Sequence, residues 1–294
     1  MWTGRARHGP LFLAAVAAAS SAVIPVEQHG PISPPGGRYV AMGSSFAAGP
    51  GVAGPVDAPP SRCARSTNNY ARQLARRRGL HLVDVSCSGA TTAHVLGPWA
   101  ELPPQIDAVT PDTRLVTVTI GGNDVGYIGD LIADSCARVG LPPGAPVARC
   151  PKPTQTGVEA WRDLESQLHR IAREVRRRAR DARLIFVDYL TLLPEHGGCA
   201  DAAASAEQAV RSRRVAQRLA AVTARVARQE RAEVLRASRL SREHDLCDPE
   251  PWVSGYPRPG GNRIAAPYHP TLPGMTAIAE ALDRMLASRF VAHR

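Results

Sequence analysis

Four short segments carry the side chains best placed to do chemistry. Gly43-Ser44-Ser45-Phe46 offers a serine hydroxyl in a tight turn, a nucleophile once a base takes its proton. Ser86-Cys87-Ser88-Gly89-Ala90-Thr91-Thr92 offers Gly89, whose N–H can approach a ligand oxygen closely because no Cβ intervenes. Gly121-Gly122-Asn123-Asp124 presents an Asn amide, a neutral donor suited to a developing oxyanion. Tyr268-His269-Pro270-Thr271-Leu272-Pro273-Gly274 holds a histidine in a Pro/Gly-fixed loop, where it can serve as general base near neutral pH. Each segment alone also reads as an ordinary turn. Gly121-Gly122-Asn123-Asp124 is not a dinucleotide fingerprint, because its glycines lack the G-x-G-x-x-G spacing.

The elements that must position these segments follow from periodicity. Strands are expected at Arg38–Met42, Leu80–Ser86, Arg114–Ile120, Arg183–Asp188 and Glu233–Leu235, the third being the most β-branched. Helices are expected at Asn68–Arg78, Val158–Arg180, about Ala202–Arg231 and Pro273–Phe290. In the second of these, Trp161, Leu164, Leu168, Ile171 and Val175 share one face. Residues 47–62, 136–156 and 248–268 read as loops. Strands alternating with helices argue for one α/β domain built on a parallel sheet. The first three chemical segments then fall at strand ends, where open α/β sheets bind ligands.

The chain has 294 residues, 44% of them hydrophobic, which excludes a wholly disordered protein. Its net charge is +10, carried almost entirely by arginine. Only 5% of residues are aromatic, and they do not interleave with the arginines, so nucleic-acid binding is not expected. Arg5, Arg7 and His8 precede an apolar, alanine-rich stretch from Leu11 to Ile24, with small residues at Ala17, Ala19, Ser20 and Ala22. Residues 1–30 therefore read as a signal peptide, or an N-terminal anchor, leading into a Pro/Gly-rich linker over 25–37. Residues 31–294 form the single domain, exported and extracellular or in the cell envelope. No later apolar run reaches membrane-spanning length.

Six cysteines (Cys63, Cys87, Cys136, Cys150, Cys199 and Cys247) are spaced without a C-x-x-C pair, so no metal site is expected and three disulfides are. Six cysteines allow 15 pairings, of which nearest-neighbour pairing is the simplest.

Taken in order, G-S-S-F, S-G-A-T-T, G-G-N-D and H-P-x-x-x-G resemble the SGNH (GDSL-type) hydrolase superfamily, in its secreted actinomycete esterase and lipase branch. The resemblance runs from about residue 38 to 290. It extends to the cysteine layout and to His244-Asp245-Leu246-Cys247 with Pro251-Trp252-Val253. It implies a flavodoxin-like, three-layer α/β/α sandwich with about five parallel strands and no cofactor. It implies Ser45 as nucleophile, His269 as base, and an oxyanion hole made by the Ser45 and Gly89 amides and the Asn123 side chain. It also favours the pairing 63–87, 136–150 and 199–247.

Two positions depart from the family pattern. Ser44 stands where the family has Asp, and Ala266 stands where a carboxylate would orient the histidine. A backbone carbonyl at or near Ala266 is expected to do that work, with Asp245 and Asp248 as alternatives. The implied activity is ester hydrolysis through an acyl-enzyme, by a monomer acting on a small or lipid ester, with contact to a membrane or envelope surface. Two other readings compete: an acyltransferase or deacetylase of envelope glycolipid or polysaccharide, and a non-catalytic envelope-binding protein.

Overall fold

Five strands form one parallel sheet: β1 (Arg38–Gly43), β2 (His81–Asp84), β3 (Thr113–Thr119), β4 (Arg183–Val187) and β5 (Glu233–Leu235), in the order β2-β1-β3-β4-β5. The computed structural model describes residues 1–3, 36–57, 61–141, 148–154, 156–257 and 266–287. The chain divides into two units, Met1–Gly30 and Pro31–Arg294, and the sheet belongs to the second. The expected signal segment lies almost wholly outside the described residues.

The central strands β1 and β3 are buried on both faces, with Tyr39, Val40, Ala41, Met42 and Val116 all fully shielded. Such strands read as near-continuous apolar runs, which is why β1 and β3 were recognisable. Among the described residues, eight α-helices connect or cover them: α1 (Ser45–Ala48), α2 (Tyr70–Arg78), α3 (Thr92–Leu96), α4 (Tyr127–Val139), α5 (Val158–Arg178), α6 (Ala206–Gln229), α7 (Ala237–Leu240) and α8 (Leu272–Ala287). Helices α2 and α8 pack together, as do α5 and α6. On α5, the stripe Trp161, Leu164, Leu168, Ile171 and Val175 is buried as its spacing requires. Each such side chain contributes roughly 1.5–3 kcal/mol by leaving water.

Side-chain caps set several boundaries. Asn69 accepts from the Arg72 amide and starts α2 one residue after its own position, later than the expected Asn68. Ser205 and Gln208 form a capping box, so α6 begins at Ala206 rather than Ala202. Strand β2 stops at Asp84 instead of Ser86, because the Asp84 carboxylate takes both the Ser86 N–H and its hydroxyl (3.2 and 2.6 Å). The expected loop over 136–156 is corrected at its start: Cys136–Val139 is the last turn of α4. Gly129 and Asp130 interrupt the apolar spacing of that helix, while Tyr127, Ile128 and Leu131 still bury one face. The final residues of the expected closing helix, 288–290, lie outside the described residues.

Three disulfides join Cys63 to Cys87, Cys136 to Cys150 and Cys199 to Cys247. Their sequence separations are 24, 14 and 48. The first ties the loop before α2 to the turn after β2.

The order 2-1-3-4-5 places a topological switch between β1 and β3, because the chain leaves β1 in one direction for β2 and returns on its other side for β3. A crevice opens at the carboxyl ends of such strands. Ser44-Ser45 follows β1 there, and Gly121-Gly122-Asn123 follows β3.

Candidate active site

The turn that carries Ser45 is built by β1 passing directly into α1. Ser44 is the N-cap of that helix, and its amide donates to the Thr119 carbonyl at 2.9 Å. The Gly43 amide donates to the Gln105 side-chain oxygen at 2.7 Å, and the Gln105 amide returns to the Gly43 carbonyl at 3.0 Å. The turn is thereby bracketed by a buried glutamine that sequence reasoning did not single out. Ser45 stands at the first helical position, where an amide has no intrahelical acceptor.

His269 reaches Ser45 from the other end of the chain. Its Nε2 lies 2.7 Å from Ser45 Oγ. Its Nδ1 lies 2.7 Å from the Pro267 carbonyl oxygen. A carbonyl can only accept, so Nδ1 carries the proton, Nε2 presents a lone pair, and the Ser45 hydroxyl donates to it. The tautomer required of a general base is thus imposed by backbone. Of the carbonyls at or near Ala266, the one that meets the ring is that of Pro267, one residue on, and not that of Ala266 itself. The Ala266 oxygen is already occupied by the Ser254 hydroxyl at 2.8 Å and the His269 amide at 3.2 Å. The alternatives are also engaged elsewhere: Asp245 accepts from the Cys247 amide and Asp248 from the Glu250 amide.

His269 is 8% exposed. Burial penalises its charged form and pulls its pKa from 6.5 down to about 4, against a smaller upward pull from the Pro267 carbonyl. The ring is therefore neutral at pH 7. Phe46 packs against it at 5.3 Å between ring centroids. The loop that carries it is pinned by Tyr268, whose backbone is left-handed at φ +61°. A bulky residue rarely adopts that region, and doing so costs of order 1–2 kcal/mol. The Tyr268 phenol is fully buried and bonded to Ser135 Oγ at 2.6 Å and to the Ala202 carbonyl at 2.5 Å, which holds the strained turn in place.

Gly89 and Asn123 come from the turns after β2 and β3. Gly89 is exposed, and its amide makes no hydrogen bond among the described residues. Its α-carbon is covered by Trp99: a Cβ at Gly89 would lie 3.2 Å from the indole edge. Trp99 itself is sandwiched, with His94 stacked at 4.1 Å and the Arg62 guanidinium 3.9 Å from the ring centroid. One proton of the Asn123 carboxamide goes to the Ala90 carbonyl at 2.9 Å, which leaves the other to a ligand. Asp124 secures the two turns to each other, accepting from the Thr92 amide at 3.1 Å and from its hydroxyl. Burial raises the Asp124 pKa against these bonds.

The arrangement joins a hydrogen-bonded serine and histidine to two turns with spare N–H donors, the parts needed for acyl transfer. Among the described residues, no group of three His, Cys, Asp or Glu side chains could hold a metal ion.

Known proteins resemble this chain in sequence and fold. Residues 41–277 match the GDSL-like Lipase/Acylhydrolase family. The chain is 30% identical to a lipase of Streptomyces rimosus over 240 residues, covering 81% of this chain and 82% of that one. It is 35% identical over 161 residues to Lipase 2 of Streptomyces coelicolor, where the match spans 53% of each, about half of that relative's length. The fold is similar to the crystal structure of the extracellular lipase from Streptomyces rimosus, with a TM-score of 0.65, 26% identity, and coverage of 84% of this chain and 98% of that one. The chain belongs to the GDSL-like lipase/acylhydrolase family, in the actinomycete lipase branch of the SGNH hydrolases.

Proposed function

We propose that the protein is a secreted carboxylic-ester hydrolase working through an acyl-enzyme on Ser45. The observation that carries the reading is the 2.7 Å hydrogen bond from Ser45 Oγ to a buried His269 whose tautomer is set by Pro267. In the first step the Ser45 oxygen attacks the ester carbonyl carbon while its proton passes to His269 Nε2. The carbonyl oxygen takes the negative charge, opposite the Gly89 and Ser45 amides and the free Asn123 N–H. The imidazolium formed keeps its Nδ1–H on the Pro267 carbonyl. The carbon–oxygen bond to the alcohol then breaks, and His269 gives its Nε2 proton to the departing alkoxide. Water enters, loses a proton to Nε2 and attacks the acyl-serine. Collapse returns that proton to Ser45 Oγ and releases the acid.

Pro267 supplies orientation but no negative charge. Replacing the aspartate of a serine-protease triad by Asn costs about 10⁴ in rate, largely through the wrong tautomer. A carbonyl preserves the right tautomer, so the absence of a carboxylate is compatible with an active dyad. The same contacts argue against a decayed, binding-only site. Secretion is supported by the N-terminal segment pattern, by three disulfides and by the extracellular relative named above. Hydrolysis of p-nitrophenyl esters by the oxidised protein, compared with Ser45→Ala, tests the reading. Activity that survives the substitution would overturn it.

A further inference from the structure

We propose that Tyr189 is a positioning residue for the oxyanion hole: its phenol oxygen holds the Gly122 amide, and through it the Asn123 carboxamide, in register with the nucleophile turn. The inference rests on the reading of Ser45 and Asn123 given above.

Tyr189 lies just beyond the end of β4 and is 6% exposed. Its Oη accepts from the Gly122 N–H at 2.8 Å. Gly122 is the residue before Asn123, so this bond fixes the Gly121–Gly122 peptide on one side of Gly122, while the Tyr127 amide holds the Gly122 carbonyl, on the peptide that leads into Asn123, at 2.9 Å. A Cβ at Gly122 would stand 2.7 Å from Oη and 2.8 Å from Cζ, so only glycine lets the turn lie this close to the ring. The same oxygen lies 3.4 Å from Ser44 Oγ, on the residue before the nucleophile. Either hydroxyl can donate across this pair. Ser44 Oγ then faces the Thr119 carbonyl at 3.5 Å, the acceptor of the Ser44 amide. One phenol thus joins the end of β4 to the turns after β1 and β3.

The ring has little room to move. Phe46 packs on it at 4.6 Å and Tyr127 meets it edge-on at 5.7 Å. Phe46 also touches His269, so nucleophile, base and oxyanion turn share one aromatic support. Burial pushes the Tyr189 phenol up to about 12, so it keeps its proton across the working pH range. An oxyanion donor works only when aimed at the place where charge develops, and small misplacements are costly in rate. The Asn123 carboxamide already spends one proton on Ala90, so the backbone that carries Asn123 must stay in place for the other to meet the oxyanion, and the Tyr189 bond holds that backbone one residue upstream.

The test removes one oxygen. In Tyr189→Phe, kcat for a p-nitrophenyl ester should fall about tenfold, with KM within about twofold. Tyr39→Phe is the control, because that phenol is also wholly buried and hydrogen-bonded, to Thr117 Oγ1 at 2.7 Å, but serves no turn of the site. It should leave kcat within about twofold. In an Asn123→Ala background, Tyr189→Phe should cost less than about twofold more, because the group it aims is gone. Amide exchange at Gly122 should quicken in Tyr189→Phe and not in Tyr39→Phe. An unchanged kcat, or a tenfold loss that persists in the Asn123→Ala background, overturns the proposal. If the unaltered protein cleaves no ester, the functional reading fails separately. The exchange measurement then decides, and unchanged protection at Gly122 overturns the role of Tyr189.

Discussion

The Nδ1 atom of His269 lies 2.7 Å from the carbonyl oxygen of Pro267, two residues earlier in the chain. A neutral backbone dipole therefore holds the base, and the neighbourhood of that base is apolar and closed. The combination gives an imidazole with a correct tautomer and a weak hold on a second proton.

The first consequence is a displaced acid limb. His269 must be unprotonated to accept from Ser45, and burial draws its pKa down to about 4. As pH falls, activity should therefore persist through 6 and decline only towards 4. A profile of kcat/KM against pH with an uncharged ester checks this. A midpoint at or above the ordinary histidine value near 6.5 would contradict it.

Gly89→Ala should impair chemistry more than binding. Gly89 sits at φ +85°, a region that L side chains rarely adopt, and the new methyl would press on Trp99, itself clamped between His94 and Arg62. The amide would be turned from the oxyanion, so kcat should drop about 10²-fold with KM little changed. Steady-state kinetics on one ester resolves the two. A rise in KM with kcat preserved would place Gly89 in substrate binding instead.

The Cys63–Cys87 bridge fastens the turn that carries Gly89, which lies two residues after Cys87. Replacing both cysteines by Ala should lower unfolding stability by about 2–4 kcal/mol for a loop of this length. Urea denaturation of the variant measures it. Loss of less than about 0.5 kcal/mol would show that the loop is held by its packing alone.

Asp188 gives a stability prediction with a definite sign. It is buried, accepts from the Ser238 amide at 2.8 Å and hydroxyl at 2.7 Å, and burial raises its pKa from 3.8 to about 6. The folded chain thus holds its proton where the unfolded chain releases it. The stability this confers is full below pH 3.8 and lost as pH rises through 6. Asp188→Asn removes the charge and keeps an acceptor for the Ser238 amide, while its NH2 group donates to the Ser238 hydroxyl oxygen, as the protonated carboxyl would. Relative to wild type it should gain stability between pH 4 and pH 7, by up to about 3 kcal/mol. Parallel denaturation curves at the two pH values test this, and a constant difference would refute it.

Much of the candidate site was legible in short motifs, because the roles proposed for Ser45, Gly89, Asn123 and His269 rest on side-chain type or the lack of one. The buried strands β1 and β3 were readable for a similar reason, since shielding on both faces demands apolar runs. What orients His269 was legible only as a carbonyl at or near Ala266, because a carbonyl belongs to every residue and its direction depends on the turn. The left-handed Tyr268 that shapes this turn has no compositional signal. Gln105 and Tyr189 were invisible for another reason: each is distant in sequence from the turn it braces. Helix α4 was missed where Gly129 and Asp130 break its apolar stripe.

The central claim is that Ser45 is activated by His269. The most direct measurement is mass-resolved labelling of the oxidised protein by a serine-directed phosphonate, alongside p-nitrophenyl ester hydrolysis, for wild type, Ser45→Ala and His269→Ala. One phosphonate on Ser45 in the wild type, none in Ser45→Ala, a labelling rate lower by about 10³ or more in His269→Ala, and parallel losses of hydrolysis are the predicted result. A folded wild type that is neither labelled nor active, or hydrolysis that survives Ser45→Ala, would contradict the account.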